Sequence, residues 1–146
     1  MTPDVNVVIS ASRQDHPNHR VAEEWLSKAL FDSSQGASFQ LLPMVVASFL
    51  RLVTNPKIFT IATPIEQAIA YIDAILACPN VRMPNQSSEW PKLRNLCLEN
   101  QLSANMLPDA WLAATVMQQD DHLVTFDLGF KQLLPSRSVT FLPGYK

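Results

Sequence analysis

The chain has 146 residues, of which 47% are hydrophobic, and its formal net charge at pH 7 is −2. That length supports one compact core, and no apolar run reaches the ~18 residues that a membrane-spanning helix needs. The acidic balance excludes a protein that holds nucleic acid through a large basic excess, so any contact with RNA or DNA has to be local. We therefore expect one domain over residues 1–146. The N-terminus lacks the basic and apolar segments of a signal peptide, so we also expect a cytoplasmic protein with no membrane partner.

Prolines separate the predicted elements, since the chain has 11 prolines and only 3 glycines. The first half predicts an amphipathic helix over 19–30, a polar loop over 32–38, a short strand over 39–42 and a helix over 43–53. The motif Thr63-Pro64-Ile65-Glu66 is typical of a capped helix start, and that helix continues to about Cys78. Further helices are predicted over 88–99 and 109–119, and strands over 122–126 and 138–142. Helices that alternate with short apolar strands favour an α/β sandwich around a parallel sheet.

Three aspartates lie at the ends of apolar runs, where a charged side chain is costly to desolvate unless it is paired. Asp4 precedes residues 5–9, Asp109 precedes residues 110–114, and Asp127 follows residues 123–126. Each aspartate taken alone is typical of a helix cap or a turn. Together, however, three converging carboxylates would repel one another. A shared divalent cation would supply the missing positive charge, and hard oxygen ligands suit Mg²⁺ or Mn²⁺.

The last predicted helix and the strand after it place two of these acids at one edge of the sheet. In a right-handed crossover, a helix begins at the carboxyl end of one strand, and the next parallel strand ends at that same edge. Asp109 begins the helix and Asp127 ends the strand, so both face the edge where open α/β sheets bind ligands. Thr125 lies two residues before Asp127, and strand alternation directs both side chains to one face.

The position of Asp4 has two interpretations. By propensity, residues 5–9 are typical of a strand, which would place Asp4 at the opposite edge of the sheet. Alternatively, a very short strand ends at Asp4 and residues 6–12 turn into a helix. The residues by themselves leave both alternatives open.

The ordered motifs of the chain resemble those of PIN-domain ribonucleases, specifically the VapC-type toxins of bacterial toxin–antitoxin pairs. The resemblance runs over essentially the whole chain. It rests on the order and spacing of Asp4-Val5-Asn6-Val7-Val8-Ile9, Asp15-His16-Pro17-Asn18-His19, Ser48-Phe49-Leu50-Arg51-Leu52-Val53-Thr54-Asn55-Pro56, Pro108-Asp109-Ala110-Trp111-Leu112-Ala113 and Leu123-Val124-Thr125-Phe126-Asp127.

This resemblance implies a PIN-like α/β/α sandwich with a short central parallel sheet, in which the first acid ends the first strand. It implies Mg²⁺- or Mn²⁺-dependent cleavage of RNA phosphodiester bonds, with the cation activating water and neutralising charge on the phosphate. By motif position, the metal-binding and catalytic acids are Asp4, Asp109 and Asp127. Asn6 and Thr125 follow as supporting hydrogen-bonding residues of the same site.

One departure from the family pattern affects activity. Many members have a fourth acid, a glutamate, in the helix that corresponds to residues 43–53, whereas this chain has Val46 nearest to that position. Three acids can still hold one ion with water completing the octahedron. A second ion, and with it the rate, depends on whether another group compensates.

Two function classes compete on these observations. The leading one is an endoribonuclease toxin that forms a homodimer and is neutralised by a cognate antitoxin, whose helix or tail lies in an apolar groove. The alternative is a catalytically impaired PIN-like module that acts through partner binding. A third possibility, a phosphatase, shares the ligands but needs a closed small-molecule pocket.

Overall fold

The computed structural model describes residues 1–85, 88–102 and 106–144. Within these ranges, helices alternate with strands of only two or three residues. The strands are β1 Thr2–Pro3, β2 Phe39–Gln40, β3 Val81–Arg82, β4 Leu123–Thr125 and β5 Val139–Phe141, and the helices are α1 Val5–Ser12, α2 His19–Ser34, α3 Pro43–Val53, α4 Ile65–Leu76, α5 Trp90–Asn100 and α6 Leu107–Gln118. Two short 3₁₀ turns, Leu128–Gln132 and Ser136–Ser138, connect β4 to β5. No helix within the described ranges has both the length and the apolar character needed to cross a bilayer.

All the strand pairs are parallel, as the sequence predicts. β4 lies between β1 and β5, while β2 pairs with β3. The amide of Gln40 donates to the carbonyl of Met1 at 2.8 Å, so β2 continues the sheet beside β1. In the register of β1 and β4, Pro3 faces Val124, so these two strands end side by side. This mixed architecture confirms the predicted α/β class with a short parallel sheet.

The first helix settles the two interpretations of Asp4. β1 ends at Pro3 and α1 begins at Val5, so the strand predicted by propensity over residues 5–9 is wrong. The Asp4 carboxylate accepts the amide of Val5 at 2.7 Å and caps the helix. Four apolar side chains of α1 are buried against α2 and α3, namely Val7, Val8, Ile9 and Ala11. Capping and burial on one helical face therefore outweigh the β-branched propensity of this segment.

Other boundaries differ from the prediction for local reasons. Helix α2 runs to Ser34 instead of ending near Leu30, because Ala29 and Ser33 continue its buried face. Strand β3 is missing from the prediction, since two residues between prolines carry too short a pattern to recognise. Thr63 does not cap α4, and its hydroxyl instead accepts from Arg13 at 3.0 Å.

Arg13 fixes the far end of the helix that starts at Asp4. Its buried guanidinium makes two hydrogen bonds to Asp15, at 3.0 and 2.7 Å, and one to the carbonyl of Ile61 at 2.8 Å. It also lies 4.0 Å from the ring centroid of Phe59. These contacts tie α1 to the segment between α3 and α4, and a planar, bidentate cation suits the role better than lysine would.

Candidate functional site

Three carboxylates lie at the edge where β1 and β4 end. Asp4 directly follows β1, Asp127 lies two residues beyond the end of β4, and Asp109 is the third residue of α6. The amide of Asp4 donates to the carbonyl of Val124 at 2.9 Å, which holds the two strand ends together. The structure thus places all three acids on one side of the sheet, including Asp4, whose position the residues alone left open.

Asp4 is the most buried of the three, with only 5% of its surface exposed. Its Oδ1 accepts the amide of Val5, and its Oδ2 accepts the hydroxyl of Thr125 at 2.7 Å. Burial raises the pKa of Asp4 to about 6, and the charges of Asp109 and Asp127 act in the same direction. The two hydrogen bonds oppose this rise in pKa, because they stabilise the ionised carboxylate.

Thr125 connects the parts of this edge. Its fully buried hydroxyl donates to Asp4 and accepts from Asn6 Nδ2 at 3.2 Å and from the amide of Asp127 at 3.0 Å. Asn6 Oδ1 in turn accepts the amide of Phe126 at 3.3 Å. A single hydroxyl thus fixes Asp4 relative to the chain that carries Asp127, and Asn6 braces the same turn.

Asp127 is exposed and caps the 3₁₀ turn that follows it. Its Oδ1 accepts the amide of Gly129 at 2.8 Å. A Cβ at position 129 would lie 3.0 Å from that oxygen, so a larger residue here would have to displace the Asp127 carboxylate by a few tenths of an ångström. Asp4 and Asp127 are therefore both caps, as each taken alone suggests, and both also face the shared edge.

Asp109 differs from the other two because it is not a cap. Helix α6 begins two residues earlier, and its N-cap residue Met106 makes no side-chain capping bond. Asp109 is half-buried, and burial raises its pKa, with the charge of Asp127 adding to the effect. The carboxylates of Asp109 and Asp127 repel each other while both are ionised, so holding them at the same edge costs free energy.

The donor chemistry of this edge fits a divalent cation. Carboxylate, hydroxyl and amide oxygens are hard ligands, and none of the ion pairs within the described part of the chain includes Asp4, Asp109 or Asp127. Among residues 1–85, 88–102 and 106–144, however, no three His, Cys, Asp or Glu side chains form a ready metal cage. An ion at this open edge therefore needs water ligands besides the carboxylates, as Mg²⁺ prefers.

Val46, the residue nearest by motif position to the fourth acid that the resemblance implies, has apolar surroundings. Val46 is half-buried and packs against the core. The two residues that follow Val46 in α3, Ala47 and Ser48, line an apolar groove of about 710 Å³ between α3, α5 and α6. Trp90 and Trp111 also line this groove and are 60% and 43% exposed.

One buried acid escaped the sequence analysis. Glu89 is only 6% exposed, and its Oε1 accepts the indole N–H of Trp111 at 2.8 Å. This carboxylate lies at the start of α5, and the partner of its hydrogen bond is a side chain of α6. Its neighbours in sequence, Ser88 and Trp90, gave no signal, because only tertiary packing buries it.

The three histidines have hydrogen-bonding partners within the fold. His19 Nδ1 lies 2.9 Å from the carbonyl of Ser10, and His122 Nε2 lies 2.7 Å from the hydroxyl of Thr140. His16 Nδ1 accepts the amide of Asn18 at 3.1 Å.

Comparisons with known proteins identify the family of this chain. The PIN domain family matches residues 1–133. Ribonuclease VapC25 of Mycobacterium tuberculosis is 36% identical over 140 residues, which cover 93% of this chain and 94% of the relative. Ribonuclease VapC31 of the same species is 36% identical over 137 residues, with the same coverage. A VapC ribonuclease of Mycobacterium bovis, Mb2897, is 31% identical over 128 residues, covering 87% of this chain and 85% of the relative.

A solved structure shows the same fold at low identity. VapBC2 from Rickettsia felis, bound to a DNA fragment from its promoter, aligns with a TM-score of 0.65 and 16% identity, covering 97% of this chain and 98% of that one. The chain belongs to the PIN-domain family, and within it to the VapC-type ribonucleases. The resemblance inferred from the motifs is thereby confirmed.

The raised pKa of Asp4 predicts how the metal-free protein responds to pH. The folded-state pKa of about 6 lies above the ordinary aspartate pKa of 3.8, so the folded state holds this proton more tightly than the unfolded chain. The resulting stability is fully present below about pH 4 and is lost as the pH rises through about 6. The loss amounts to about 3 kcal/mol for a shift of this size.

Urea unfolding in EDTA measures this effect. We expect the free energy of unfolding of Asp4→Asn relative to the native chain to rise between about pH 4 and pH 7, because asparagine does not ionise. Asp73→Asn, on the exposed side of α4, is the matched control and should show a constant difference. Parallel pH profiles for the native chain and Asp4→Asn would contradict the assigned pKa.

Proposed function

We propose that the chain is a cytoplasmic endoribonuclease toxin, one PIN-like domain over residues 1–146, that cleaves RNA phosphodiester bonds with Mg²⁺ or Mn²⁺. The observation that carries the proposal is the meeting of Asp4, Asp109 and Asp127 at one open sheet edge, in a chain of the VapC-type family. An open edge suits a polymer better than the closed pocket that a phosphatase would need.

Each residue of the proposed site has a separate task. Asp4, Asp109 and Asp127 would hold the cation, which supplies water activation and charge neutralisation when bound. Thr125 and Asn6 orient Asp4 and the turn before Asp127, as their hydrogen bonds indicate. Asp4 must give up its proton to bind an ion, so metal binding should improve as the pH rises through about 6.

Cleavage of a total-RNA and tRNA panel by partner-free protein tests this proposal. We expect fragments with Mg²⁺ or Mn²⁺ that disappear in EDTA. Asp4→Asn, Asp109→Asn and Asp127→Asn should each lower the rate at least about 100-fold, because each removes charge stabilisation of the transition state. Asp73→Asn removes an exposed aspartate from α4 and should cleave like the native chain.

The alternative function, a binding module with impaired turnover, is favoured by one observation. Val46 and its apolar packing occupy the place of the fourth acid, so the site offers fewer carboxylates than many relatives of its family. Bound Mn²⁺ without cleavage of any RNA in the panel would favour this alternative over the nuclease. Cleavage that persists unchanged in all three aspartate variants would contradict both.

The cognate antitoxin has a suitable surface on α4. Ile65 and Ile69 lie one turn apart and are each about half exposed, and Ile61 before the helix is 80% exposed. We call these three residues the isoleucine face. An amphipathic helix or extended segment of the antitoxin would cover it, burying apolar surface that is otherwise hydrated. Trp25 on α2 is less available to an antitoxin, because its ring packs against the ring of Phe39, with 6.1 Å between the centroids.

A charge on the isoleucine face should separate neutralisation from catalysis. Ile65→Glu is expected to weaken binding of the co-expressed cognate antitoxin at least about tenfold, because it buries an unpaired carboxylate in the contact, while RNA cleavage stays intact. Phe31→Glu, which charges an exposed apolar residue of α2, is the matched control and should remain neutralised. If the antitoxin inhibits both variants equally, α4 is not part of the interface.

The homodimer has a different suitable surface. Exposed apolar side chains cluster around the groove between α3, α5 and α6, and we call this set the groove face. Its members are Trp90, Leu107 and Trp111, which line the groove together with Met44. Aromatic residues and methionine are enriched in protein interfaces, and a two-fold dimer would use this face on both copies.

Mass measurement in solution tests the groove face. We expect the native chain to sediment at twice its 16.3 kDa mass and Trp90→Glu to sediment as a monomer, because the charge would be buried in the contact. Phe31→Glu introduces the same charge on α2 and should leave the dimer intact. A native chain that is monomeric at all concentrations tested would contradict the proposed dimer.

A further inference from the structure

Glu89 is a buried carboxylate whose hydrogen-bond donor is an indole N–H. None of the ion pairs within the described part of the chain includes it. Its Oε1 accepts the indole N–H of Trp111, and Glu89 precedes α5 without capping that helix through its side chain. Burying a carboxylate without a cation is costly. A residue kept at that cost is expected to hold something in place.

The residue that Glu89 holds is two positions from Asp109. Trp111 lies in the first turns of α6, and its ring is nearly half exposed in the groove, so packing alone does not fix its orientation. The start of α6 also lacks a side-chain cap at Met106. The hydrogen bond from Trp111 therefore tethers the beginning of α6 to the segment that precedes α5.

The hydrogen bond between Glu89 and Trp111 acts near acids that repel one another. Asp109 and Asp127 raise the pKa of Asp4, and Asp127 raises that of Asp109, so the three acids repel one another when they are ionised. Asp4 and Asp127 are fixed by Thr125 and by their own capping bonds. Within the part of the chain that the structure describes, no such bond holds the Asp109 carboxylate, so it can relieve the repulsion by moving with the first turn of α6.

We propose that Glu89 is a positioning residue of the metal site, which acts through Trp111 to hold the first turn of α6, and with it Asp109, at the carboxylate edge. This inference rests on the proposed metal-dependent function. It assigns no ligand role to Glu89, which lies outside the set of charges that act on Asp4. The hydrogen bond holds Asp109 near the other two acids before the ion binds. Binding then needs less ordering of the site, so the apparent affinity for the ion rises.

Direct Mn²⁺ binding tests the inference, measured from the electron paramagnetic resonance signal of the free ion. We expect Glu89→Ala to weaken Mn²⁺ binding about tenfold or more, as the loss of an outer-shell contact does. Glu89→Gln keeps a carbonyl oxygen for the indole N–H and should restore most of the affinity. Glu99→Ala removes an exposed acid from the other end of the same helix and should bind Mn²⁺ like the native chain.

The outcomes separate this inference from the function on which it rests. If the native chain binds no Mn²⁺, the proposed metal centre fails, and the positioning role falls with it. If the native chain binds Mn²⁺ and Glu89→Ala binds it equally well, only the positioning role is overturned, whatever the thermal midpoint of the variant. Should Glu89→Ala not fold, the neutral double variant Glu89→Gln/Trp111→Phe decides. It lacks the hydrogen bond without leaving a buried charge, and native affinity in that variant would overturn the inference.

Discussion

The hydrogen bond from Thr125 to Asp4 is the contact on which the candidate site depends. Asp4 is nearly fully buried beside two other acids, and an ionised carboxylate in that position needs compensating donors. Thr125 supplies one donor and also receives the amide of Asp127, so the same hydroxyl sets the distance between two strand ends. The helix cap at Val5 supplies the other donor. Thr125, a buried residue of β4, therefore holds both the strand ends and the carboxylates of the candidate site in position.

The capping role of Asp4 and Asp127 does not compete with their proposed metal role. A capping carboxylate uses one oxygen for a backbone amide and is thereby oriented without a cation. Asp4 and Asp127 are held in this way, while Asp109 depends on the placement of α6. The site thus consists of two acids fixed by their own backbones and a third fixed by packing between helices. Repulsion among the three is the strain that the rest of the structure has to resist.

The loss of the fourth acid changes the chemistry next to the site. An apolar side chain at Val46 and a groove with two exposed indoles adjoin the carboxylate edge, where many relatives have another charge. Fewer carboxylates lower the repulsion and also lower the number of protein ligands available to an ion. The buried carboxylate of Glu89 accepts the indole N–H of Trp111.

The sequence by itself determined the class of fold and the sheet edge that Asp109 and Asp127 share, because apolar periodicity and the order of the elements carry that information. It left the position of Asp4 open. Helix α3 was predicted with its observed bounds, since Pro43 and the Thr54-Asn55-Pro56 stop are local signals. Only the tertiary structure decided that residues after Asp4 form a helix, because burial against α2 and α3 overrides their strand propensity. It also decided that Thr63 binds Arg13 instead of capping α4, and that Glu89 is buried against Trp111. These contacts join residues far apart in the chain, so no local pattern encodes them.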